Sequence, residues 1–480
     1  MASVRHESAV KDGGGDLRHM VRILLRTTLL VAIGAYVAGV LLGRFSGRLA
    51  GVGLSSRVVA VAPDQVSLVV DRCGQTLSGE VAREPAVMPA LLDLVSRARH
   101  TLVLDLPFPA DSESPVVSEL VAALTSRMAA VPDLWVLIVT GPRSSAHAQV
   151  CPPALVPVVR AGGHVVIADL DQVPDSNRVF SPWYRLASPI LSRLPVRDAA
   201  GSVAADPDLA PGRSLAQRLR SWNAKGNRRG LAASRDAAGR WEFLCGAFPL
   251  SEAEGSDLHA VLRVHGPLLT EALLAEYEIA RSSLLRSRRW CFSATDHYGV
   301  LRQLEARISA LEQTEPGLDD EDEGDGRVQV QYFGEEALGE RVSWLLLDAG
   351  ADTQVEACLS SLSSAEFEQG LRRAAGRGAR VRLLLNPAEA DGAGPACDTG
   401  ANRVVGTSLA RWAAEEGVDL EVRWLVRAAG VPRANVLRVH NPRLGDDRIL
   451  VMSGGATGKN LTGRNLCCGV LVRRGGEIGD

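Results

Sequence analysis

The chain has 480 residues, 46% of them hydrophobic and 23% charged, which makes it too long for one core and too apolar for a disordered chain. Its 53 basic and 56 acidic side chains leave a formal net charge of -3, so no global field draws it to nucleic acid. The eight cysteines are scattered, with no C-x-x-C pair and no Cys/His ligand set, which argues against a structural zinc site and reads most of them as small buried apolar groups.

Residues 1–26 form a basic segment carrying Lys11, Arg18, Arg22 and Arg26. Residues 27–43, TTLLVAIGAYVAGVLLG, contain no charge and as a helix extend roughly 25 Å. Arg26 and Arg44 lengthen that reach by snorkelling, and the segment reads as one transmembrane anchor. A signal peptide is the rival reading, because a basic front precedes an apolar core and small residues follow at 47–50 and 53–55. The arginines and lysine flanking the segment lean only slightly toward an N-terminus inside. Ala35, Gly39 and Gly43 are spaced four apart, a weak pattern for helix pairing.

Beyond the anchor, short apolar runs alternate with helical periodicity. A strand is expected over 101–106, then a helix with Ser114 as cap, Pro115 in its first turn and the stripe Val117, Leu120, Val121, Leu124, Met128. Strands follow at 134–140 and 164–168. This βαβαβ order predicts parallel pairing with helices over the faces. The order returns later: a helix over 337–347, a strand at 353–359, a helix over 365–375, a strand at 381–385, a helix near 408–416, and strands at 420–426, 435–440, 448–452 and 469–473. Two similar α/β domains result, over 60–290 and 327–480, with a helix and acidic linker at 291–326. The run EPGLDDEDEGDG at 315–326 lacks the alternating ligand positions of a calcium loop and reads as solvated linker. Residues 201–213 and 389–399 read as surface loops.

Several local strings resemble the phospholipase D superfamily, in particular its bacterial phosphatidylserine/cardiolipin-synthase-like branch. In the first domain these are Val69-Val70-Asp71-Arg72, Ile167-Ala168-Asp169-Leu170-Asp171 and Asp175-Ser176-Asn177. In the second they are Gly334-Glu335-Glu336-Ala337, Val381 to Pro387, Asn402-Arg403 and Asn460 to Leu466. The resemblance implies an α/β fold of two duplicated phospholipase-D-like domains with mixed central sheets, preceded here by one transmembrane helix. It also implies a His-x-Lys-x4-Asp motif from each domain meeting at a shared cleft. There one histidine attacks phosphorus, the other protonates the leaving oxygen, and lysines and asparagines hold the phosphoryl oxygens.

The first motif aligns with Lys225 to Arg235 and has lost its chemistry. Arg228 takes the histidine position, Gly230 the lysine position and Arg235 the aspartate position; a guanidinium stays charged and offers no acceptor. In the following Gly246-Ala247-Phe248-Pro249, Phe248 replaces a phosphate-binding asparagine. The second motif keeps His440 and, seven residues on, Asp447, while Pro442 stands where the lysine belongs and Asn460 is the candidate asparagine. A strand string nearly repeated at Val261 to Pro267 and Val436 to Pro442 shows that His265 and His440 have plain structural readings as half-buried strand residues. Candidate catalytic residues are therefore His440 and Asp447, and candidate phosphate-binding residues are Arg228, Arg229 and Asn460, with no metal and no cofactor.

The expectation is a membrane-anchored pseudoenzyme or anionic-phospholipid-binding protein. Two alternatives stand beside it: a phosphatidyl transferase or phosphodiesterase working through His440, and an envelope scaffold. Expected partners are the membrane, an anionic phospholipid or phosphodiester head group, and a second copy of the chain or an envelope protein. No specific nucleic acid is expected, because regular aromatic interleaving is missing. Only residues 474–480 follow the last expected strand, which leaves no room for the terminal helix that the resemblance implies.

Overall fold

A computed structural model describes residues 14–45, 50–75, 81–108, 114–141, 151–170, 173, 183, 226–250, 258–266, 270–286, 297–313, 327–386, 399–425 and 433–475. The expected loops at 201–213 and 389–398, the linker at 315–326, Lys225, Asp171 and the 175–177 string lie outside them. The chain divides into two units. The first contains helix α1, Gly14–Phe45. Its stretch Met20–Val40 is long and apolar enough to cross a membrane, with Leu24, Leu30 and Val31 among its exposed side chains. This stretch begins before the expected residue 27 and takes in Arg22 and Arg26.

The second unit holds two sheets. In chain order its elements begin with β1 (Val59–Val61), β2 (Val66–Val70), β3 (Arg72–Gln75), β4 (Val81–Glu84), α2 (Val87–Arg97), β5 (Thr101–Asp105), α3 (Pro115–Ala130), β6 (Trp135–Thr140), α4 (Val156–Arg160) and β7 (His164–Ile167). The first half ends with β8 (Leu231–Arg235), β9 (Trp241–Gly246), β10 (Ala260–His265), α5 (Thr270–Arg286) and α6 (His297–Gln313). The second half runs β11 (Val328–Gly334), α7 (Glu335–Asp348), β12 (Gln354–Leu359), α8 (Ala365–Gly376), β13 (Arg380–Leu385), α9 (Thr399–Glu416) and β14 (Leu420–Trp424). It closes with β15 (Val436–Asn441), β16 (Asp446–Met452), α10 (Gly458–Leu461) and β17 (Cys468–Arg474).

The first sheet has the order β2-β10-β9-β8-β5-β6-β7, and the second repeats it as β11-β17-β16-β15-β12-β13-β14 with β1 added outside β11. In each, three strands pair in parallel and the rest antiparallel, giving the mixed sheets expected of a duplication. Strands β5 and β6 are buried at every position because both faces are covered, which is why they read as unbroken apolar runs. Ser364 caps α8 by accepting from the Phe367 N–H. Ser114 occupies the equivalent place before α3, but its hydroxyl makes no cap bond; Pro115 alone marks that start.

One core lies between the first sheet and α2 and α3, and another between the second sheet and α7, α8 and α9. A third joins the halves: Val103, Leu137 and Phe243 of the first sheet share it with Tyr332, Val451 and Val470 of the second, and with α5 and α6. One position differs from the sequence expectation. Strand β1 lies at the edge of the second sheet, pairing Val59 with Val330, because Ser56 bridges to Tyr332 through backbone and hydroxyl. Helix α6, the helix expected ahead of the acidic linker, packs into the core shared by the halves: Gln303 accepts from the Trp135 indole and Arg307 stacks on the same ring.

Candidate functional site

The sheet registers fix which residues of the two halves are counterparts. Leu231 lies between Asp105 and Cys245 as Val436 lies between Cys358 and Val451. At the first end of each hairpin, Gly246 N–H donates to Gly230 O and Met452 N–H to Asn435 O, so Gly230 corresponds to Asn435. Two residues earlier, Arg228 N–H donates across to Leu466 O of the other half, and Arg433 N–H donates to Leu258 O. The counterpart of Arg228 is therefore Arg433. The counterpart of His440 is Arg235, since Arg235 pairs with Thr101 and Trp241 as His440 pairs with Gln354 and Asp447. This corrects the sequence alignment, which set Arg228 opposite His440.

The place where the halves meet is filled by charge. Arg229 is fully buried; its Nε and Nη2 donate to Glu335 at 2.7 and 2.8 Å, and its Nη1 donates to Glu276 at 2.6 Å. Burial works against its charge, but Glu276 and then Glu335 outweigh that and raise its pKa well above the ordinary arginine value. Glu335 also accepts from Gly53 N–H at 2.8 Å and Cys467 N–H at 3.2 Å, and Gly51 O accepts from Arg229 Nη2 at 3.3 Å. The segment after α1 is thus part of this seam. Gly51 sits at φ +84 with Ala275 O only 2.3 Å from where a Cβ would lie, so glycine is required there.

Asp105 extends the cluster. It accepts from Asn227 Nδ2, whose own oxygen accepts from Arg229 N–H. Burial raises its pKa well above the usual carboxylate value, and Glu276 beside it adds to the rise. Asp105 Oδ2 and Glu276 Oε2 lack any other partner, so a proton shared between them is the arrangement that satisfies both. The sign follows: the folded state holds this proton more tightly than the unfolded chain, so its stabilising effect is complete at acid pH. It declines as pH climbs from the ordinary carboxylate value through the raised one. Asp105→Asn is expected to flatten that decline in denaturation experiments run from pH 5 to 9. An unchanged pH profile would mean that Asp105 is ionised in the fold.

The predicted site residues fall in two groups. His440 and Asp447 face each other across the β15–β16 hairpin beside its turn, with Nδ1 and Oδ1 3.8 Å apart. Arg438 clamps the Asp447 carboxylate at 2.8 and 3.1 Å, so that carboxylate already serves a guanidinium. Five residues, about 17 Å of strand, separate His440 from Asn435 at the seam. Arg228 and Asn460 form the other group, flanking Gly454: a Cβ there would lie 3.6 Å from Arg228 Cβ and 2.7 Å from Asn460 Nδ2. Arg228 is exposed and Asn460 buried. Asn460 fixes its loop, donating to Gly455 O at 2.8 Å and accepting from Asn465 Nδ2 at 2.8 Å. Arg229, next to Arg228 in sequence, has its guanidinium enclosed by carboxylates and presents none of it to a phosphate.

Sequence reading missed Glu276, Asp105, Asn227 and Asn435. Asn435 accepts from Ser360 N–H and Oγ at 3.0 and 2.7 Å and donates to Arg433 O. The quoted Asn402 supports the same turn, accepting from Leu362 N–H and donating to Ser360 O. At the counterpart position in the first half, Gly230 has the Phe248 ring 3.2 Å from where its Cβ would be. An aromatic ring therefore fills the space at one hairpin end and an engaged amide occupies the other. The signal that was available is a lone acid ending an otherwise apolar run, as in Thr101-Leu102-Val103-Leu104-Asp105. In the strings Val69-Val70-Asp71-Arg72 and Gly334-Glu335-Glu336-Ala337, Val70-Asp71 and Gly334-Glu335 prove to be counterparts. Each acid accepts the N–H of the residue opening the last strand's approach, His259 to Asp71 and Cys467 to Glu335.

No protein-family model and no curated protein matches the chain. Among solved structures, the phosphatidylserine synthase of Haemophilus influenzae superposes with a TM-score of 0.51 at 9% identity, over 87% of this chain and 84% of that one. Nuc of Salmonella typhimurium, a phospholipase D family member, gives 0.23 at 14% identity over 30% of this chain and 82% of its own. The yeast tyrosyl-DNA phosphodiesterase gives 0.38 at 9% identity, over 84% and 88%. The likeness to the synthase, the repeated strand order and the paired hairpin registers agree, and the chain has a duplicated mixed α/β fold similar to that of the synthase.

Proposed function

We propose that the chain is a membrane-anchored phospholipase-D-like pseudoenzyme that binds anionic phospholipid head groups without cleaving them. The observation carrying this reading is the seam itself: Arg229 is enclosed by Glu276 and Glu335, and the hairpin ends carry Gly230 and Asn435. Neither position is a histidine, and His259, whose neighbour Leu258 accepts from Arg433 N–H, is buried and held by Asp71. A phosphodiester needs a nucleophile and an acid on opposite sides of phosphorus, and a guanidinium sealed by carboxylates supplies neither. Arg228 remains exposed at the same seam and offers a planar set of donors suited to phosphate. Helix α1, with its apolar stretch, supplies the anchor in this reading.

The full chain in detergent micelles, titrated with short-chain phosphatidylglycerol and phosphatidylcholine, is expected to bind the anionic lipid in preference and to release no head group. Arg228→Glu should weaken phosphatidylglycerol binding roughly tenfold or more, the worth of one charged hydrogen bond, while His440→Ala should leave it unchanged. Head-group release that disappears in His440→Ala would reject the pseudoenzyme. Equal affinity for both lipids would reject the anionic site.

A further inference from the structure

The geometry points to Cys245 and Cys468 as a thiol pair that a peroxide converts into a disulfide joining the two halves of the fold. Cys245 is the penultimate residue of β9 in the first half and Cys468 opens β17 in the second, 223 positions apart in sequence. Their sulfurs lie 3.7 Å from each other in the shared core, and both side chains are buried. Neither takes part in head-group binding as proposed above. The neighbouring thiols differ in a way that makes the pairing selective. Cys467 points to the opposite face of its strand, into the core beneath α7, and donates to Asn460 O at 3.0 Å. Cys151 lies in the core beneath α2 and α3, and Cys358 on β12.

A disulfide requires the sulfurs to close from 3.7 Å to about 2.05 Å. Buried thiols are poorly reached by bulky disulfide reagents, whereas hydrogen peroxide is close to water in size. The sulfur of one cysteine attacks a peroxide oxygen, breaking the O–O bond and giving a sulfenic acid and water. The second thiol then attacks that sulfenic sulfur, forming the S–S bond and expelling a second water. Two thiols are oxidised by two electrons and one peroxide is reduced to two waters. The contact between the two thiols raises the Cys245 pKa, with burial adding to the rise, and lowers that of Cys468. Joining these strands pins the seam between the halves at its centre.

The test exposes the full chain in detergent to hydrogen peroxide, alkylates the remaining thiols and maps the peptides by mass spectrometry. The expected product has lost about 2 Da, the two thiol hydrogens, carries a Cys245–Cys468 link, and reverts with a thiol reductant. Its thermal unfolding midpoint should rise, since the crosslink constrains a long stretch of unfolded chain. Cys245→Ser should abolish the link and leave a sulfenic acid on Cys468 that dimedone traps when the chain is unfolded in its presence, and Cys467→Ser should not affect it. Recovery of both Cys245 and Cys468 as free thiols, at a peroxide dose that oxidises the same chain in denaturant, would overturn the inference. So would a link through Cys467. Either result leaves the lipid-binding reading untouched, because that rests on Arg228 and is read by lipid titration.

Discussion

Arg229→Met is expected to destabilise the protein by about 3–5 kcal/mol, the cost of stranding buried carboxylates without their cation. Glu335 and Glu276 are both buried and both bonded to this one guanidinium, and Asp105 lies beside Glu276. Methionine matches much of the arginine stem but leaves two buried carboxylates in the seam without their cation. Chemical denaturation of the full chain in detergent, followed by near-UV circular dichroism, reads the loss. Adding Glu276→Gln and Glu335→Gln should restore most of it, because removing all the charges together is far less costly than removing one. A loss below about 1 kcal/mol would indicate a seam open to water.

Attempting to rebuild the lost half-site is expected to damage the fold and restore nothing. A Cβ on Gly230 would lie 1.9 Å from Gly246 O and 3.2 Å from the Phe248 ring. The β8–β9 ladder holds that carbonyl in place, since Gly246 N–H is bonded to Gly230 O. Gly230→Lys should therefore cost about 3 kcal/mol or more through backbone displacement. Gly230→Ala should cost nearly as much, because the clash begins at the first side-chain carbon. Arg228→His combined with Gly230→Lys should show no phosphodiester turnover. Turnover by that double variant would show that the half-site is only chemically, and not sterically, closed.

The strand pattern was legible because buried parallel strands are apolar at every position, as in Leu102 to Leu104 and Val136 to Val139. Helices α3, α7 and α8 were legible from their periodicity. The same uniformity misled the site reading. Val261 to His265 and Val436 to His440 look alike because both are core strands, yet β10 and β15 are not counterparts. One short motif carries no information about where a hairpin turns, so His440 was aligned with a residue seven positions from its true counterpart, Arg235.

Duplication, a candidate anchor and the loss of a lysine at both motifs were written in the order of residue types along the chain, because periodicity and side-chain chemistry are local properties. The enclosure of Arg229 by Glu276, Glu335 and Gly51 was decided only by tertiary structure, since it joins residues from the start, middle and second half of the chain. The distance of His440 from the seam was decided in the same way: hairpin register is a long-range choice made by cross-strand pairing and core packing, and adjacent residues do not encode it.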